Sequence, residues 1–313
     1  MYRCRQPWVT GVLLAALCAA SAALHAASAC EATKQADVGG KGVQAWKLAE
    51  GGYAAWSAMH INIDGYGRAY HRNNRQAGAV LHLCVGGEVL LSDGTRYHGS
   101  ATQATCTGRF MDDLARIEAA GWADPSVGVV RWYGVVAEGQ ATVAGRNVKG
   151  IKPVLQRDGS SFYVSPTSLV DPTVTDLADQ RRYANPLRVA AAVAPGALVR
   201  AGVNQGSFGV AIQGDKRIAV PFVVGDAGPR IGEGTPALAR PVAGLPLTDE
   251  ITLGNRYAGA VEGKSVLWVF FGGPAMVFNH QQEAEVATRA KAAFEAWGGA
   301  ERLERCMERL PRS

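Results

Sequence analysis

The chain has 313 residues, 48% of them hydrophobic, and a formal charge of +5 from 32 Lys and Arg against 27 Asp and Glu. That length supports one large domain or two small ones, with ample material for a core. The absence of a Lys/Arg-rich run or of aromatics interleaved with basic residues argues against a nucleic-acid partner, and the six Cys and six His show no zinc-ligand spacing, so neither metal nor cofactor is expected.

Arg3 and Arg5 precede an apolar stretch at 8–24, and Ala27-Ser28-Ala29 closes it with small residues. This is the pattern of a cleaved secretory signal peptide over 1–29, and no later segment is apolar for long enough to span a bilayer. The mature chain, 30–313, is therefore expected to be secreted or periplasmic and monomeric. Losing Arg3 and Arg5 takes the charge from +5 to +3. Cys30, Cys84, Cys106 and Cys306 remain, an even set that suggests two disulfides with three connectivities. Cys84 with Cys106 is the local option and leaves Cys30 to join Cys306. Lipid attachment at Cys30 is the less favoured alternative, because the preceding residues lack the usual upstream Leu.

Residues 53–63 (YAAWSAMHINI) alternate as a half-buried strand does and run into Asp64-Gly65. Short Leu/Val runs over 79–97, broken at Gly86-Gly87 and Asp93-Gly94, predict hairpins. Phe110, Leu114 and Ile117 fall on one face of a helix over 110–120, with Gly121 as its C-terminal cap. Strands are predicted at 127–136, 150–155, 206–212, 217–224 and 265–271, and a short helix at 236–240. The Ala/Val run within 183–195 fits strand or helix and stays undecided. Asn279 and Gln282 form an N-cap pair for a helix with an apolar stripe of Val286, Ala290, Ala293 and Trp297. Gly298-Gly299 breaks that helix, and a last one carries Leu303, Cys306 and Leu310 within the C-terminal helical region 279–310. The sum is a mostly β (α+β) fold, a single barrel-like domain with peripheral helices.

The most informative segment is 218–234, IAVPFVVGDAGPRIGEG, where a buried-strand pattern ends at Asp226 and presents Glu233 between two glycines. Two carboxylates at such a spacing fit either a solvated turn or the acid and base of an inverting glycosidase, which stand roughly 6.5–9.5 Å apart.

Four segments, INIDGYGRAYHR (61–72), MDDLARIEAAG (111–121), SFYVSPTSLVD (161–171) and VVGDAGPRIGEGTPALA (223–239), together resemble the chitosanases of glycoside hydrolase family 75 and related bacterial proteins. The resemblance covers about 53–273 and implies endo-hydrolysis of β-1,4-linked glucosamine polymers with inversion. It places the catalytic carboxylates at Asp226 and Glu233. Glu233 is expected as acid and Asp226 as base, with the exchanged roles open. Asp64, Tyr70, His71, Thr167 and Ser168 are candidates to bind the amino-sugar polysaccharide. The stretch between Arg72 and Met111 is longer than the family's usual connection, and 73–110 is read as a disulfide-closed hairpin insertion. A Thr also stands where the family's signature commonly has Ser after Glu-Gly. The alternatives are a peptidoglycan-cleaving, muramidase-like hydrolase and a non-catalytic glycan-binding envelope protein.

Overall fold

The computed structural model describes residues 30–99 and 105–312. The predicted signal peptide, 1–29, lies outside the described residues. In chain order come β1 (Ala32–Gln35), β2 (Ala45–Leu48) and β3 (Tyr53–Ile61). They are followed by β4 (Gly87–Leu91), β5 (Arg96–His98), α1 (Phe110–Ala119), β6 (Gly128–Trp132), β7 (Ala137–Val143) and β8 (Arg146–Pro153). Then come β9 (Ala191–Pro195), α2 (Gly196–Arg200), β10 (Phe208–Gln213), β11 (Ala219–Gly228), β12 (Glu233–Gly234), α3 (Pro236–Val242) and β13 (Val261–Phe270). The chain ends in α4 (Glu283–Trp297) and α5 (Gly299–Arg309).

The main sheet runs β1-β2-β3-β12-β9-β11-β10-β13, and β13 pairs again with β3. Strands β3, β12, β9, β11, β10 and β13 thus close a six-stranded barrel, which removes the free edges an open sheet would expose. The expectation of a barrel-like β-rich domain holds. The apolar run near 265–271 is continuous because β13 is buried on both faces. Val266, Trp268 and Phe270 fill the barrel interior with Tyr53, Met59, Phe222 and Leu238. Leu267 and Val269 face the other way and are covered, with Trp56 and Val210, by Phe294 of α4 and Leu303 of α5. At about 1.5–3 kcal/mol per large side chain taken from water, this two-sided burial makes β13 a principal source of stability.

Between β3 and β9 the chain leaves the barrel and builds a second cluster. A three-stranded sheet, β5-β4-β6, packs against α1 through Val89, Phe110, Leu114, Ile117, Val130 and Trp132. Cys84–Cys106 is formed, and the β4–β5 hairpin lies within 73–110 as expected. The sheet extends past that segment, however, because β4 pairs along its other edge with β6. The hairpin partner β7 was not predicted. Its inward residues are mostly small (Ala137, Gly139, Ala141) and only its end, Val143, is buried; the signal it left was Ala144-Gly145, both in the left-handed region that a tight hairpin turn needs.

The undecided run resolves as β9, every residue of which is buried. Asn279 does cap, but it accepts from Gln281 N at the head of a 3-10 turn, one turn before α4 begins. Val286 and Ala290 of the predicted stripe are buried, and Phe294 joins them.

Cys30 is bonded to Cys306. This occupies the sulfur that a thioether-linked lipid would need, so the lipid alternative is not compatible with the folded chain. Two disulfides fit an extracellular protein, and among the described residues no helix is long and apolar enough to cross a membrane. The Cys30–Cys306 bond joins residues 276 positions apart. Cys306→Ala is expected to cost about 2–5 kcal/mol, read as a lower urea midpoint. An unchanged midpoint would show that the bond constrains nothing the packing of α5 does not already hold.

Candidate active site

The site is assembled where β3 runs out beside the tips of β11 and β12. Glu233 stands opposite His60 in the parallel β12–β3 pairing. His60 N donates to Gly232 O at 2.7 Å and Asn62 N to Gly234 O at 2.9 Å. Met59 and Ile61 pack into the barrel core, so the alternation of the strand turns His60 and its neighbour Glu233 outward. Only glycine fits at 232. Its φ is +131°, and a Cβ there would stand 2.6 Å from Ser57 Oγ, whose hydroxyl donates to Ile231 O.

Asp226 reaches the same place through a bulge. The β11–β9 register shifts between Val224 and Asp226, which leaves Gly225 O to accept from Thr167 Oγ1 at 2.7 Å and Leu169 N at 2.8 Å. Bulges commonly re-aim a side chain beside a site. Asp226 Oδ1 then accepts from Ser168 N at 3.1 Å, Ser168 Oγ at 2.8 Å and Ala227 N at 2.9 Å, and Asn62 Nδ2 donates to Oδ2 at 3.3 Å. Four donors suit a carboxylate, which is an acceptor only.

Asp64 completes the group. Its N–H donates to Asn62 Oδ1 at 2.8 Å, an Asx turn. The next residue, Gly65, is braced by Ser165 Oγ at 3.2 Å and Gln180 Nε2 at 3.0 Å. The Asp64 carboxyl lies against that of Asp226, and two carboxyl groups so close favour keeping one proton between them. Burial is the main cause that pushes Asp64 up from 3.8 to about 7, with the charges of Asp226 and Glu233 adding and the Asn62 hydrogen bond opposing. Asp64 keeps an accessible edge, yet most of what surrounds its carboxyl is protein. Glu233 is also raised, first by burial and then by Asp226, against the opposing charges of His60 and Arg230. Its carboxyl accepts no hydrogen bond among the described residues. Arg230 Nη2 meets His60 Nε2 at 3.2 Å.

Asp64, Ser168, Asp226 and Glu233 are therefore brought together, and Thr167 contributes by fixing the bulge. Tyr70 and His71 are not presented to a ligand. Tyr70 is 4% exposed, with its ring against Gly86 and Gly134. His71 is 8% exposed, lies edge-on to Phe162 at 4.8 Å and spends Nδ1 on Asn73 N. Both are packing residues, because the apolar lobe closes over this part of the motif. Sequence reasoning passed over His60, Asn62 and Arg230. Asn62 could have been found from its place two residues before Asp64, just past the end of β3, and Arg230 from its position inside the glycine-rich segment.

Among the described residues, no group of three or more His, Cys, Asp or Glu side chains is arranged to hold a metal ion. A scan against protein-family models finds no match for the chain, and a search of curated proteins finds none either.

Because folding raises the Asp64 pKa from 3.8 to about 7, the folded protein holds a proton that the unfolded chain has released across that window. The stability this group contributes is complete below pH 3.8 and is lost as pH rises towards about 7. The carboxyl carbon of Asp64 should titrate near the upper value by NMR. In Asp226→Asn the midpoint should fall while staying above 3.8, burial being the larger cause; a midpoint indifferent to Asp226 would break the shared-proton arrangement.

Proposed function

We propose that the protein is an exported glycoside hydrolase that cuts within β-1,4-linked amino-sugar polymers by single displacement, chitosan being the simplest such substrate. The observation that carries this reading is the unequal treatment of neighbouring carboxyls at one edge of the barrel. Asp226 is held by four donors, whereas Glu233 is raised by burial and has no donor of its own. Such a division is what separates base from acid in two-carboxylate catalysis.

In this mechanism Glu233 gives its proton to the glycosidic oxygen as the bond from that oxygen to the anomeric carbon breaks. A water on the opposite face of the sugar attacks the carbon and gives its proton to the Asp64–Asp226 pair. With Asp64 holding its proton, the pair carries one negative charge and becomes neutral on accepting another. Solvent then restores Glu233 and removes the extra proton. Asn62 and Ser168 fix the orientation of Asp226, which is the preorganisation such a step needs. Arg230 and His60 limit how far Glu233 is raised, so that it can still part with its proton.

Glu233→Gln and Asp226→Asn are each expected to lower reducing-end release by about 10²–10⁴-fold with thermal midpoints close to wild type. NMR of the fresh product should show the α-anomer from a β-linked substrate. Retention of the β-anomer would exclude single displacement. Absence of reducing ends from both chitosan and peptidoglycan would put a glycan-binding envelope protein in place of the hydrolase.

A further inference from the structure

The surface beyond the carboxylates is cationic. Tyr70 lies within electrostatic range of both Asp64 and Tyr133. It is walled by Gly86 and Gly134, where a Cβ would stand 2.9 Å from its Cε1 and 2.6 Å from its hydroxyl. Gly86 O in turn accepts from Tyr133 N and Gly134 N, each at 2.9 Å. Tyr133, 51% exposed, opens onto a hollow of about 620 Å³ whose charged lining is Glu88, Arg96, Arg131, Arg146 and Lys149.

Four cations therefore face one carboxylate. Glu88 does not neutralise the hollow so much as hold two of its arginines in place. Arg96 Nη2 donates to both Glu88 oxygens, at 2.8 and 2.9 Å, and Arg131 Nε lies 3.4 Å from Oε2. Arg131 is left with its terminal nitrogens, and among the described residues Arg146 and Lys149 have no ion-pair partner. The platform is rigid. Arg96 and Arg131 lie on β5 and β6, Arg146 and Lys149 on β8. A small core of Leu90, Val129, Val143, Val148 and Ile151 clamps the β7–β8 hairpin to the sheet.

Chitosan is a polycation, and a hollow with an excess of three positive charges repels it. Guanidinium groups on fixed strands suit the planar, bidentate recognition of carboxylates, and an exposed tyrosine ring offers an apolar face with a polar tip. We propose that this hollow is a subsite for carboxylate groups on the glycan. The substrate is then an amino-sugar strand that carries acidic substituents, as peptidoglycan does. This rests on the hydrolase reading above and narrows it.

The test is a charge reversal away from the catalytic groups, Arg146→Glu with Lys149→Glu, both exposed, and folding is checked by circular dichroism and thermal midpoint. Wild type should release reducing ends from purified peptidoglycan faster than from chitosan, and the more so at low salt. The double variant should raise KM on peptidoglycan by about tenfold or more, as loss of electrostatic steering does, with kcat within about twofold. Amidating the peptidoglycan carboxylates should raise the wild-type KM similarly and abolish the difference between the two proteins. An unchanged KM in the variant, or a wild-type preference for chitosan, overturns the subsite while leaving the hydrolase intact. If wild type cuts neither polymer, the hydrolase reading fails by itself. Co-sedimentation with insoluble peptidoglycan then decides the hollow: loss of binding in the variant upholds it, and equal binding rejects it.

Discussion

Strand β3 is the member on which the architecture and the chemistry both depend. One of its edges pairs with β13 from Tyr53 to Ser57 and again at Met59, which closes the barrel. Its other edge is shared, β2 taking residues 53–55 and the two-residue β12 taking 60–61. A strand held on both sides cannot slip, because a shift of one residue would turn Met59 out of the core and His60 into it. The register that buries Met59 is thus the register that sets Glu233 beside His60 and delivers Asn62 and Asp64 to Asp226. Core packing and site geometry are fixed by one choice.

The segments that converge there are otherwise irregular, and irregular backbone needs its own supports. The 165–185 loop supplies most of them. Ser165 and Gln180 hold the turn at Gly65, Thr167 and Leu169 bond the bulge at Gly225, and Ser168 occupies Asp226. The loop is pinned in turn by Asp171, which is fully buried and accepts from Thr173 and from both the backbone and ring of His280 at the foot of α4. Burial alone would push Asp171 up, yet these donors hold it well below the usual carboxylate range. The site is therefore linked through one buried ion to the helices that cover the far side of the sheet.

What could be read in the chain follows physical lines. Elements buried on a consistent face declared themselves, as Phe110, Leu114 and Ile117 did for α1 and the run through Trp268 did for β13. β9 did not, because Ala and Val in unbroken succession satisfy a buried strand and a buried helix equally. β7 was silent because its inward residues are mostly Ala and Gly, too small to mark an apolar face. Asp226 and Glu233 were visible through their glycines, but the contact between Asp64 and Asp226 joins residues far apart in the chain and leaves no local trace. Tyr70 and His71 looked like ligands for the converse reason. Their side chains are chemically able to bind a sugar, and nothing in their neighbours shows that Gly86, Gly134 and Phe162 have already enclosed them.

The bond between Cys30 and Cys306 also bears on how the cysteines come to be sorted. Cys30 is made first of the four mature cysteines and its partner last, with Cys84 and Cys106 completed in between. For most of synthesis the first thiol has no native mate, while two others pass within its reach. Cys84 and Cys106, only 22 residues apart, close the shorter loop and so meet each other sooner. Once that pair has closed, Cys30 and Cys306 are the two of the four left for each other.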